Sequence, residues 1–324
     1  MLSKSDLTSI SKRVKIVNKV DTKNLKMLQQ NVNDKFLTPL TAVLHDVYVG
    51  YHHDGGTRGS HGEFYWSSVV ADGDKVYVTD SKKLIGEDGI QTGVASGTWL
   101  TLDRIPLYTH DSPPSAGAIS IGFRLIENDD SDEAKAVFNG LTALGSAIVS
   151  AFTTNPAVGT ITDGAVQLVH SLLDVDDDDV ALSAVKGLHS VNNYNIGRFF
   201  SLKDQRYGTS AVFSIIPAKP ISGYALYNPV IIMPGQPISF SVDKDSVVSL
   251  FIRRTYIPHI PKAYIYIKDD QGITVKSKSF SRWVILTSSL KAGDYHIVTS
   301  SALPCNLDVS TSEYGPSLAI DTDL

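Results

Sequence analysis

A single cysteine, Cys305, excludes any intrachain disulfide. A chain without that staple suits a reducing compartment, or export as a protein held by its core or by metal. Basic charge is also short. The 29 Lys and Arg residues fall below the 34 Asp and Glu, for a formal net charge of −5. That balance argues against a general nucleic-acid binder, which needs a basic face to replace phosphate counterions. The opening Met1-Leu2-Ser3-Lys4-Ser5-Asp6 carries no apolar h-region. The expectation is a protein that stays in the cytoplasm or is exported without a Sec leader. No Gly-x-Ser-x-Gly elbow, P-loop or Gly-x-Gly-x-x-Gly occurs, so no motif points to a catalytic class. Triads assemble from distant residues, and an enzyme with a dispersed site would leave no such mark.

What is present reads as globular: 42% hydrophobic and 19% charged residues over 324 positions. That length favours two domains. Residues 1–37 carry eight Lys or Arg against three Asp, with apolar positions at roughly helical spacing, and read as an N-terminal arm. From Leu40 the pattern turns to strands. Residues 39–49 are apolar on both faces, which predicts a central strand. Residues 80–98 are polar and glycine-rich and predict a long loop. Pro217-Ala218-Lys219-Pro220 is the best linker, because two prolines in four residues make a stiff connection. Beyond it, alternating runs such as Ala263–Lys268 and Arg282–Leu286 are spaced like the strands of a sandwich.

The most distinctive feature is a pair of acidic knots. Glu127-Asn128-Asp129-Asp130-Ser131-Asp132-Glu133 follows the strand-like run from Ala118 to Ile126. Asp174-Val175-Asp176-Asp177-Asp178-Asp179 precedes another strand-like segment. Between them, Val137, Leu141, Leu144 and Ile148 form a helical stripe, Pro156 breaks it, and a second stripe follows from Ile161 to Leu172. This predicts an α-hairpin inserted over 133–173 and splitting one acidic loop in two. Consecutive carboxylates repel one another, so they are either fully solvated or gathered round a cation. Calcium, which takes six to eight oxygens from curling loops, fits that donor set. A solvated acidic rim is the plain alternative. His45, His52, His53 and His61, beside Asp46 and Asp54, are zinc-type donors, but their spacing matches no zinc signature.

The run Ile121–Asp130 and the later Asp176–Ser183, with Gly62-Glu63-Phe64-Tyr65 as an acidic-aromatic strand entry, resemble the calcium-loop side of C2 domains. The resemblance covers about residues 38–216. It implies an eight-stranded sandwich that contacts membranes or partners through its loops, with Ca2+ held by Asp54, Glu63, Asp129, Asp130, Asp132, Asp178 and Asp179. The chain departs from the family in the inserted hairpin, and in Glu63 where aspartate is usual. Residues from Pro237 to Val242, Ala263 to Gly272 and Leu290 to Val298 resemble the pre-peptidase C-terminal β-sandwich appended to secreted bacterial hydrolases. That likeness covers roughly 219–324 and implies a binding or targeting module, with Tyr224, Tyr227, Tyr256, Tyr264, Tyr266 and Trp283 able to stack on sugar or contact protein, although most such residues serve core or edge packing.

The fold expected is mainly β: an N-terminal arm (1–37), a C2-like sandwich with a helical insert (38–216) and a second β-sandwich (217–324). The function expected is a non-enzymatic, bacterial binding protein. It engages membrane lipid, a glycan or a protein surface through acidic, calcium-binding loops and does not bind nucleic acid. Two rivals stand beside it. One is a pore-forming toxin that uses the uncharged stretch from Ala136 to Thr162. The other is an assembly protein whose acidic tips face a neighbouring subunit.

Overall fold

The computed structural model describes residues 39–50, 61–71, 76–80, 91–100, 102, 104–109, 118–127, 180–204, 208–254 and 261–313. The arm over 1–37 and the insert over 133–173 lie outside the described residues. The chain is mainly β and forms two sandwiches.

In chain order the first sandwich uses β1 (Leu40–Tyr48), β2 (His61–Ala71), β3 (Val76–Asp80), β4 (Gln91–Ala95) and β5 (Trp99–Leu100). It continues with β6 (Ile105–Thr109), β7 (Ala118–Glu127), β8 (Val180–His189), β9 (Phe199–Lys203) and β10 (Ser210–Pro217). Sheet 1 runs β5-β1-β10-β9, with β6 also beside β1. Sheet 2 runs β3-β2-β7-β8, with β4 also beside β2. These ten strands exceed the eight that the C2 resemblance implies. The predicted loop over 80–98 contains β4, which borrows its order from pairing with β2 (His61 opposite Ala95), not from its own propensity. A 3-10 helix (Ser190–Asn195) links β8 to β9.

The second sandwich uses β11 (Tyr224–Leu226), β12 (Val230–Ile232), β13 (Ile238–Val242), β14 (Ser246–Arg254) and β15 (Ala263–Asp269). It closes with β16 (Thr274–Phe280), β17 (Trp283–Leu290), β18 (Gly293–Thr299) and β19 (Cys305–Ser312). Sheet 3 runs β11-β19-β14-β17, with β12 beside β19, and sheet 4 runs β13-β18-β15-β16. Every pairing among the described strands, in both sandwiches, is antiparallel, as hairpin-rich connections require.

Period-two alternation explains both cores. Trp66, Phe123, Leu125 and Phe213 fill the space between sheets 1 and 2. Leu250, Ile252, Ile265 and Ile297 fill the space between sheets 3 and 4. A third cluster joins the sandwiches: Phe199 and Val212 from sheet 1 meet Phe251 of sheet 3, with Trp99 and Trp283 packed against them. The four sheets therefore stack in the order 2-1-3-4. Sheets 1 and 3 are covered on both faces, which is why β1 is buried at every position and β14 at all but one.

Candidate functional site

Two places concentrate charge, and strand geometry builds each of them. The first is one end of sheet 2. Strand β7 pairs with β2 with Glu127 opposite Phe64, and with β8 with Ile126 opposite Val180. The start of β2, the end of β7 and the start of β8 therefore lie side by side. Neighbouring strands stand about 4.8 Å apart, so the three ends fall within roughly 10 Å. The acidic segments adjoin these ends in sequence. Asp54 precedes β2 and Glu63 lies in it; Asp129, Asp130 and Asp132 follow β7; Asp178 and Asp179 precede β8. Glu63 is thus placed by its backbone, and the other six lie outside the described residues.

Glu127 is the described carboxylate at this end, and it is buried. Its carboxyl group lies against Gly62, where any added Cβ would collide with Oε1 and with the Phe64 ring. Glycine at 62 is what lets a charged group pack flat over the neighbouring strand. Among the described residues no group of three or more His, Cys, Asp or Glu side chains is arranged to hold a metal. No described helix is long and apolar enough to cross a membrane.

The second place is the joint between the sandwiches, and it originates in a single irregularity. The register between β1 and β10 slips between Leu44 and Asp46, leaving His45 as the extra residue of a bulge. Before the bulge, Leu40, Ala42 and Leu44 face the first core; after it, Val47 and Val49 do. The slip puts His45 and Asp46 together on the opposite face, toward sheet 3. A strand without the bulge would send one of them into the apolar core.

On sheet 3 the residues facing this joint alternate with the second core. Arg253 of β14 forms an ion pair with Asp46, its guanidinium 2.8 Å from Oδ2, and donates to Asp308 Oδ2 at 2.9 Å. Arg104 donates to Asp308 Oδ1 at 2.8 Å and to the Tyr227 carbonyl at 2.6 Å. Two carboxylates, each 3% exposed, thus alternate with two guanidiniums in a chain of zero net charge. Arginine suits such a site because its fork reaches two acceptors at once. Rings close round the ions: the Arg253 guanidinium lies 5.2 Å from the Phe251 ring centre and Trp99 meets Phe251 edge-on.

His45 is sealed beside this chain. Its Nε2 is 2.7 Å from Ser214 Oγ, and its ring meets Phe199 edge-on. Its Nδ1 is buried with no hydrogen-bond partner among the described residues. Burial drives its pKa down to about 4; Asp308 pulls it up, and Arg104 and Arg253 push it further down. It is a neutral imidazole at pH 7. His45 and Asp46 are therefore committed to the joint and are not zinc donors in a polar loop. Trp283, a candidate sugar contact in the sequence, is also spent there, under the Lys203 ammonium and against Trp99. Tyr224 packs against the first core, and burial raises its pKa to about 12.

Sequence reading missed the joint because its members are far apart. Arg104 and Asp308 lie 204 residues apart. The one available signal was the His45-Asp46 pair inside an otherwise apolar central strand. A buried strand tolerates such polar residues only where partners await them.

No protein-family model matches the chain, and no curated protein matches it. Solved structures give distant likenesses. Human GIVD cytosolic phospholipase A2, in complex with methyl gamma-linolenyl fluorophosphonate inhibitor and terbium chloride, is 7% identical over 86% of this chain and 32% of its own, with a TM-score of 0.25. The Yersinia pseudotuberculosis-derived mitogen is 11% identical over 32% of this chain and 94% of its own, with a TM-score of 0.20. The SPP1 phage Dit protein is 9% identical over 84% of this chain and 98% of its own, with a TM-score of 0.19. This chain thus matches under a third of the phospholipase's length. At these TM-scores none of the three assigns a ligand or a role.

Proposed function

We propose that the protein is a non-enzymatic binding protein whose first sandwich holds a divalent cation, Ca2+ by donor chemistry, at the acidic end of sheet 2. The cation bridges the protein to a membrane lipid, glycan or protein surface. One observation carries this reading: β7 and β8 are direct neighbours, with Ile126 opposite Val180. The two acidic knots, more than forty residues apart in sequence, are thereby tethered to adjacent strand ends. The β2 end that leads from Asp54 to Glu63 lies next to them. Glu127, buried at the end of β7, is a further carboxyl group at that end. Acidic segments joined to adjoining strand ends repel one another unless water or a cation separates them, and oxygen-rich loops at a strand edge are the usual seat of calcium.

The test is thermal unfolding with calcium, with magnesium and with chelator. A ligand that binds only the folded state stabilises by about 2.7 kcal/mol at a hundredfold excess over its Kd. That raises Tm by several degrees in calcium, by less in magnesium, and not at all in an Asp178→Asn, Asp179→Asn variant. An unchanged Tm in millimolar calcium and magnesium would return these acids to the role of a solvated rim.

A further inference from the structure

The second sandwich has two sides where its sheets end, and they differ in charge. Residues 233–237 carry the chain from β12 to β13, so the β12 edge of sheet 3 and the β13 edge of sheet 4 lie on one side. Residues 281–282 carry it from β16 to β17, which form the other side. The β16 side is guarded. Lys276 and Lys278 stand on its edge strand, and Arg282 lies in the turn that follows. Lysine on an edge strand blocks pairing with another chain. The β12–β13 side has no such guard. Residues 220–242 hold no charged residue, in a chain that is 19% charged.

Apolar area is exposed along this uncharged side. Tyr227 and Met233 are each 43% exposed, Val230 is 40% and Ile231 is 59%. These are four of the seven large hydrophobic side chains exposed among the described residues, and they fall within residues 227–233. Register explains why Ile231 stays in water. It pairs with Asn306 and points away from Ile232, which enters the second core. Strand β12 is too short to extend the sheet itself, with Pro229 and Pro234 on either side of it. Strand β13 supplies what β12 lacks. It runs from Ile238 to Val242, and among the described residues β18 is the one strand beside it. No proline, bulge or charge interrupts that run, and Ser239 and Ser241 on it are exposed. A strand with one neighbour offers its other row of N–H and C=O groups to a second chain.

We propose that this side is a homodimer interface: β13 of a second copy pairs antiparallel with β13 across a twofold axis, and Tyr227, Val230, Ile231 and Met233 pack beside the seam. A twofold axis brings identical surfaces together, so each surface must complement itself. A charged surface then repels its copy, and an uncharged one does not. A twofold perpendicular to the strands also sets identical strands antiparallel, which is the mode of pairing throughout this fold. The four strands of sheet 4 in each copy then make one sheet of eight. Homodimer interfaces are also more apolar than those between transient partners, which favours a second copy over a different protein on this side. The proposal is independent of the cation site.

Sedimentation equilibrium of the full chain tests it, run across micromolar concentrations and in chelator so that no bridging metal contributes. The expected result is a monomer–dimer equilibrium. Ile231→Lys, Met233→Lys raises the dissociation constant roughly a hundredfold or more, because the twofold loses each apolar contact twice and sets four like charges together. Ile273→Lys, Val275→Lys leaves it unchanged, although those two side chains are 60% and 43% exposed, because they lie outside the seam. Amide hydrogen exchange over residues 238–242 slows as the dimer forms, and exchange over residues 274–280 does not. A thermal melt of each variant reports folding. A monomer at every concentration would overturn the proposal. So would a dimer that survives Ile231→Lys, Met233→Lys, or protection that appears on β16 in place of β13.

Discussion

Strands β1 and β15 have similar length and both sit inside a sheet, yet they live in opposite circumstances. Every residue of β1 is buried, with apolar side chains on one face and His45 and Asp46 among those on the other. Strand β15 alternates buried Ala263, Ile265 and Ile267 with outward Tyr264, Tyr266 and Lys268. The difference follows from position in the stack. Sheets 1 and 3 press their second faces together, so any charge there must be matched inside the protein. Sheet 4 keeps a face in water, where charge and aromatic area need no internal partner. Polar residues at the joint therefore specify how the sandwiches fit, and polar residues on the outer sheets remain available to ligands.

The comparison breaks most visibly at Arg253, which faces two buried carboxylates. Arg253→Met leaves Asp46 buried without its guanidinium. Removing one partner of a buried ion pair typically costs about 3–5 kcal/mol, because the other charge stays uncompensated. Urea denaturation should show a loss of that size. Adding Asp46→Asn should recover part of it, since the stranded charge is then gone. An Arg253→Met loss below about 1 kcal/mol would mean that the chain of ions is not sealed, as surface pairs give no more than that.

A smaller effect comes from His45. Its pKa is about 4 in the fold against 6.5 in the unfolded chain. Between those values the unfolded state binds more protons, so stability rises with pH. The contribution is fully present above pH 6.5 and is lost as pH falls through 4. Over that window it amounts to about 3 kcal/mol. Stability measured from pH 7 to 4 should fall less steeply in His45→Gln than in the wild type, and the difference between the two curves isolates this imidazole from the titrating carboxylates. Identical slopes would place His45 in contact with water.

Much of this architecture was legible in the residues. The two-faced apolarity of 39–49 marked a strand covered on both sides, and alternation beyond Pro220 marked a sandwich. Those signals are local, and period-two burial writes them directly into the chain. The joint was not legible. It depends on a one-residue bulge at His45 and on partners at 104, 253 and 308, and nothing local specifies either. The acidic edge is intermediate. Its residues announce themselves, but their convergence depends on β7 pairing with β8 across a long insertion, which is a fact of topology. The outward tyrosines of β15 were visible as residues but not as a face: Trp283 and Tyr224 looked equally available and are half-buried in packing.

If the joint is sealed as its ions and rings indicate, the two sandwiches unfold as one unit. Trp99 and Trp283 sit in the joint, 6.1 Å apart, and their fluorescence reports on it. The direct measurement is urea unfolding followed at once by tryptophan fluorescence and far-ultraviolet circular dichroism. The predicted result is a single transition with the same midpoint by both probes. A fluorescence change completed at lower urea, with the β signal intact, would show two sandwiches that part before either unfolds, and would contradict the sealed joint.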